Sequence, residues 1–155
     1  MLLHVRFIND IIIHSTATPA GRPVTVQDIR RWHTLPPPAG RGWKNIAYHY
    51  IILLDGTIER GRPISQPGTH CRGHNAHSIG VCYVGGTDGH GNPSDTRTAA
   101  QKSSMLQLIT RLTSIYHCPV HGHRDYTPTD CPSFDVSAEY GGILAQILRK
   151  TLPKS

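Results

Sequence analysis

A chain of 155 residues, 37% apolar and 17% charged, has the size and balance of one soluble domain, and the balance excludes an intrinsically disordered chain. The formal charge of +6 points to polyanionic surroundings such as nucleic acid, a membrane surface or a cell wall; Arg and Lys are scattered, however, and the densest basic spot, Arg30-Arg31, falls in a predicted helix, which argues against a nucleic-acid interface. Four cysteines without a CxxC pair exclude a small disulfide scaffold, no apolar run reaches membrane-spanning length, and Arg6, Asn9 and Asp10 interrupt any signal-peptide core, so synthesis in the cytoplasm is expected.

Residues 5–14 predict a first strand whose best part, Ile11-Ile12-Ile13, is a β-branched run suited to burial on both faces. His14 ends that strand. Strand ends in open α/β sheets face the functional crevice, so His14 reads as a metal ligand or, at even odds, as a packed or surface histidine. Ser15 to Gly21 is loop. A helix begins at Thr25, with Asp28 three residues on as a relative of the capping box. Val26, Ile29, Trp32 and His33 mark its inner side, and Pro36-Pro37-Pro38 stops it. In the Pro/Gly-rich connection that follows, Trp43 either stacks on a ligand or covers the sheet edge.

Ala47 to Leu54 predicts a central strand, Asp55-Gly56 the turn of a hairpin, and Thr57 to Arg60 the return strand. A period of two puts Tyr48 and Tyr50 on one face and His49 on the other. Tyr48 is either a core aromatic or a group that holds or deprotonates water beside a metal. Residues 61–77 form a long connection whose His70, His74 and His77 touch substrate or are plain surface histidines. Ser78 to Val84 alternates into another strand, ended by Gly85-Gly86. Thr96 to His117 is the clearest helix, with Ala99, Met105, Leu108, Ile109, Leu112, Ile115 and Tyr116 as its apolar stripe. A short last strand ends near His121. The terminal helix packs through Ile143, Leu144, Ile147 and Leu148, and Gly141-Gly142 breaks or delays it, because paired glycines cost roughly 2 kcal/mol relative to alanine. No repeat or linker divides the chain, and residues 1–155 read as one domain.

The segment from His121 to Cys131 holds two imidazoles and a thiol among turn formers. These are preferred zinc ligands, and His121 and His123 are equally eligible on this ground. A catalytic zinc takes three protein ligands and leaves a fourth position for water. The best third donor is His14; the other cysteines, Cys71, Cys82 and Cys118, read as buried thiols.

Taken together, Ile13-His14-Ser15, Tyr48-His49-Tyr50-Ile51-Ile52 with Asp55-Gly56-Thr57 after it, His70 leading into the run from Asn75 to Gly86, and Gly122-His123-Arg124-Asp125 followed by Cys131-Pro132-Ser133-Phe134-Asp135 resemble the type 2 N-acetylmuramoyl-L-alanine amidases. That family includes bacteriophage lysozyme-type amidases and zinc-dependent peptidoglycan recognition proteins. The resemblance runs from about His14 to Asp135, within a motif-bearing region of about 11–150. It implies an α/β fold with a mixed central sheet flanked by helices on both faces and one zinc in a groove at the sheet edge. The implied zinc ligands are His14, His123 and Cys131, with His121 kept as a minority alternative because a strand would point it to the same side as His123. Tyr48 matches the catalytic tyrosine, and His70 matches a residue of the substrate groove, which Trp43 could also line. Thr129 falls where phage enzymes carry lysine and several recognition-type amidases carry threonine; its hydroxyl can bond a developing oxyanion but brings no charge.

The implied reaction is zinc-assisted hydrolysis of the amide between the lactyl group of N-acetylmuramic acid and L-alanine. The implied partners are peptidoglycan and muropeptides, met by a monomer after release or delivery to the cell wall by another system. A peptidoglycan-binding module that no longer cuts is the alternative, and the complete ligand set argues against it.

Overall fold

The computed structural model of the protein describes residues 6–154, so the part of the predicted first strand before Arg6 lies outside the described residues. In chain order the elements are β1 (Asp10–Ser15), β2 (Thr18–Pro19), α1 (Val26–Thr34), β3 (Tyr50–Ile52), β4 (Ile58–Arg60), β5 (Ser78–Tyr83), β6 (Gly86–Thr87), α2 (Ala99–Tyr116), β7 (Val120–Gly122), a 3-10 turn (His123–Asp125), α3 (Val136–Tyr140) and α4 (Ile143–Thr151). The main sheet has the order β4-β3-β5-β1-β7. Its strands β3, β5, β1 and β7 run parallel and β4 antiparallel to β3, which makes it mixed.

β1 lies inside the sheet, so its isoleucines must be covered twice, and Ile11, Ile12 and Ile13 have no exposed surface. On one face Ile11, Ile13, Ile52, Ile79 and Val81 pack against Met105, Leu108, Ile109 and Leu112 of α2 and Val136 and Tyr140 of α3. On the other, Ile46, Ile51 and Val84 pack against Val26 and Ile29 of α1. Helices therefore flank both faces of a single small α/β domain. His14, one step beyond Ile13, points to the α1 side.

Local chemistry sets the helix ends. Thr25 and Asp28 form a complete capping box, and Leu35 closes α1 just before the prolines. α2 begins at Ala99, three residues later than its periodicity predicts, because Thr98 and Gln101 form a second capping box; such a cap contributes about 1 kcal/mol. Gly141 and Gly142 divide the terminal segment into α3 and α4, as their helix cost requires.

Five expectations need correction. The central strand is only Tyr50–Ile52, and its return strand starts at Ile58. Tyr48 and Tyr50 do not share a face: Tyr50 joins the α2 side with Ile52, and Tyr48 joins the α1 side with Ile51. The period of two fails because regular pairing starts at Tyr50, while the carbonyls of Ala47, Tyr48 and His49 accept from Thr69, Arg62 and Gly61 of the following connection. Trp32 (36% exposed) leaves the inner side of α1 for a groove, and Ile115 (58%) leaves the α2 stripe. The interior positions of α2 are held in part by Gln101 and Thr113; Gln101 Nε2 donates to the carbonyls of Ile52 and Val84 at 3.2 and 2.9 Å.

Two features have no counterpart in the sequence reading. β2 and β6 form a separate two-stranded parallel sheet. Arg97, with almost no exposed side chain, bonds Asp95, Glu139 and Tyr140 and lies 3.5 Å from the centre of the Phe134 ring. It fastens α3 and the segment after Cys131 to the start of α2.

Candidate metal centre and its groove

His14 is held by β1, a strand buried along its whole length, and its neighbours reach it from two later segments. β7 stops at Gly122, so strand alternation no longer governs His123, whose ring sits 4.6 Å from that of His14. His121 is still in the strand and bonds elsewhere: its Nδ1 lies 2.8 Å from Asp10 and 3.0 Å from the Tyr126 hydroxyl. The next loop returns to bring Cys131 in. Its carbonyl accepts from the Arg124 N–H at 2.8 Å, and its sulfur accepts from the Ser15 N–H at 3.3 Å.

The ligand atoms of His14, His123 and Cys131 all lie within 4.8 Å of one another. Cys131 Sγ is 3.8 Å from His14 Nδ1. A tetrahedral zinc with ordinary Zn–N and Zn–S bonds needs about 3.5 Å between such donors, so two imidazoles and a thiol at this spacing fit a zinc ion with one position left open. Burial holds His14 well below its usual pKa, helped by His70 and His123, and it lowers His123 as well. Both imidazoles are therefore neutral, the form that ligates. Burial pushes the Cys131 thiol up, and the Ser15 N–H partly offsets this.

Behind His14 lies a second imidazole. His14 Nε2 is 2.8 Å from His70 Nδ1, and His70 Nε2 is 3.1 Å from Ser78 Oγ. With the His14 Nδ1 lone pair turned to the metal position, its Nε2–H donates to His70, whose own Nε2–H donates to Ser78. Burial lowers the His70 pKa to about 3, which keeps it neutral for this role. Gly80 makes the room: a Cβ there would come within 2.7 Å of His70 Cγ. His70 thus borders the groove, but both of its nitrogens are engaged inside the protein.

The groove itself, about 440 Å³, runs over this cluster and is lined also by Trp32, His33, Arg41, Trp43, Tyr48 and Thr129. The Tyr48 ring lies 5.2 Å from His14. Burial raises its phenol well above the ordinary value, and the neighbouring Cys82 and Cys131 push the same way, so Tyr48 keeps its proton and acts as a donor. Thr129 is exposed at the rim, its hydroxyl accepting from the Cys131 N–H at 3.4 Å. Trp43 packs 5.1 Å from His33, whose Nδ1 accepts from the Ala47 N–H.

All seven residues singled out from the sequence, His14, Trp43, Tyr48, His70, Thr129, His123 and Cys131, border one groove. Sequence reasoning missed Ser78, Gly80 and Cys82, which support it from β5, and Arg41, which lines it. The run Arg41-Gly42-Trp43 was a visible signal for the last; a small residue facing a distant histidine leaves none.

A His/His/Cys cluster, with His14 buried and His123 and Cys131 half-buried, on one face of a mixed α/β sheet and open to a groove, has the donors to hold a metal ion with one coordination position left free. The chain belongs to the N-acetylmuramoyl-L-alanine amidase family, whose model matches residues 5–134. It is 41% identical over 129 residues to an endolysin of Klebsiella phage KP32, covering 83% of this chain and 82% of that protein. It is 40% identical over 127 residues to the endolysin of Escherichia phage T7, covering 81% of each. Among solved structures it resembles the N-acetylmuramoyl-L-alanine amidase LysC of Clostridium intestinale, with a TM-score of 0.74 and 30% identity over 94% of this chain and 88% of that one. No helix among the described residues is long and apolar enough to cross a membrane.

Proposed function

We propose that the protein is a zinc-dependent enzyme that hydrolyses the amide between the lactyl group of N-acetylmuramic acid and L-alanine in peptidoglycan. The observation that carries this reading is the three-donor cluster, with Cys131 Sγ 3.8 Å from His14 Nδ1, open to a groove that also holds Tyr48. Family membership supports it, since amidases of this family are typically zinc-dependent.

His14, His123 and Cys131 hold the ion. Bound there, zinc supplies a Lewis acid that polarises the scissile carbonyl and lowers the pKa of water. His70, backed by Ser78, fixes the tautomer and orientation of His14. Tyr48, protonated, orients the attacking water through its hydroxyl. Thr129 donates to the developing oxyanion from the rim, without the charge a lysine would bring. Trp43 offers a flat apolar wall to the substrate. The same reading has a monomer made in the cytoplasm and reaching the wall after release or by another delivery system.

The decisive experiment is digestion of purified cell wall by zinc-loaded protein, with and without a chelator, followed by assay of new N-terminal alanine amines and mass spectrometry of the products. New alanine amines that vanish with the chelator are expected. Tyr48→Phe should keep the metal and lower turnover about 10²-fold. Fully loaded protein that binds wall and releases no such amine would instead be a recognition module.

A further inference from the structure

Arg41 carries the one permanent charge among the groove-lining side chains, and no lining residue is a carboxylate. Its place is set by backbone bonds to the end of α1. The Arg41 N–H donates to Trp32 O at 3.0 Å, Gly42 to Leu35 O at 2.8 Å, and Trp43 to His33 O at 2.8 Å. The guanidinium rests 5.2 Å from the centre of the Trp43 ring, a stacking contact that limits its swing. Among the described residues it has no ion pair and no side-chain hydrogen bond. The contrast is Arg97, whose guanidinium is filled by two carboxylates and a tyrosine hydroxyl. Arg41 is close enough to the groove floor for its charge to add to the burial that lowers His33 and to oppose in part the burial that raises Tyr48.

A planar five-donor cation that stands exposed on a groove wall, stacked on Trp43 and without an internal anion, is placed to take a carboxylate from outside. We propose that Arg41 binds a free carboxylate of the peptide stem and thereby selects acidic over amidated stems. This rests on the amidase reading. The stem residue after L-alanine is a γ-linked glutamate whose α-carboxylate is free in some walls and amidated in others, and the chain end supplies a second carboxylate.

Three synthetic N-acetylmuramoyl tripeptides test the proposal: one with only the glutamate α-carboxylate free, one with only the terminal carboxylate free, and one with both amidated. The wild-type protein should cleave one of the acids with kcat/KM about tenfold above the diamide, mainly through KM. That acid identifies the carboxylate. Arg41→Gln should bring the ratio near one and Arg41→Lys should restore part of it, while Lys44→Gln, an exposed change outside the groove lining, should leave the ratio intact. Equal cleavage of all three substrates by the wild type overturns the proposal. So does an Arg41→Gln protein that slows equally on all three, because the arginine then acts on Tyr48 or on the fold. If no substrate is cut, the amidase reading fails instead, and calorimetric binding of the same peptides still decides whether Arg41 prefers the acid.

Discussion

The two ends of β1 each carry a polar cluster with a histidine from the β7 region, and they are built for different work. At the Asp10 end, His121 Nδ1 bonds the carboxylate at 2.8 Å, the Tyr126 hydroxyl bonds the same carboxylate, and the His74 ring stacks on Tyr126 at 3.9 Å. Every strong acceptor there has an internal donor, so the cluster is satisfied and cross-links β1 to the turn after β7. At the His14 end the acceptors are a thiol and two imidazole lone pairs that converge on one point, and no carboxylate lines the groove to neutralise an incoming charge. A single residue, Gly122, separates His121 from His123. What divides them is their partners: His121 Nδ1 is held at the Asp10 end of β1, whereas His123 lies beside His14 at the other end.

The largest effect expected from breaking this contrast is at the thiol. Cys131→Ala should weaken zinc binding on the order of 10³-fold and bring wall digestion to background, whereas His121→Ala should leave metal affinity, read by chelator competition, within about twofold of wild type. Equal metal loss in the two variants would show that the ends are not separate. Next is the structural end. Asp10→Ala leaves His121 and Tyr126 without their acceptor and should cost about 2 kcal/mol in urea unfolding while metal affinity holds. A variant as stable as wild type would make the cluster ornamental.

The most gradual effect is a pH slope. Burial holds His33 and His49 at about 4, below the ordinary 6.5. Between those values the unfolded chain takes up protons that the folded chain refuses. Stability should therefore be flat above about pH 7 and fall as pH drops from 6.5 towards 4, by up to about 1.4 kcal/mol per pH unit for each histidine. Urea midpoints at pH 7.5, 6 and 5 check this, and a flat series would contradict it.

Much of the frame is legible where one local rule acts alone. The β-branched run of β1, the Thr25–Asp28 cap, the proline stop and the Gly141-Gly142 break each follow from backbone or side-chain preferences that tertiary contacts do not oppose. Legibility fails where a contact between distant segments decides. The parity of Tyr48 and Tyr50 depends on carbonyls captured by residues 61–69, and the start of α2 depends on a Thr98–Gln101 box that the hydrophobic period runs straight through. Trp32 counts as inward by helical spacing, yet the groove offers its ring a second apolar surface. In the site, donor type alone singled out His14, Cys131 and the pair His121 and His123; the family resemblance chose His123, and the fold brings its ring beside His14. Ser78 and Gly80 were not, since their value lies in what they leave room for behind His14.

The loop bearing Cys131 is gripped unequally at its two ends. Downstream, Phe134 lies under the Arg97 guanidinium and Pro132 O accepts from the Tyr83 hydroxyl at 2.6 Å. Upstream, Thr129 stands exposed, its N–H donating to Thr127 O within the same loop and its hydroxyl making one long bond, from the Cys131 N–H. A substitution at position 129 should therefore leave the place of the thiol unchanged, whereas one at Phe134 should loosen the whole turn that presents it.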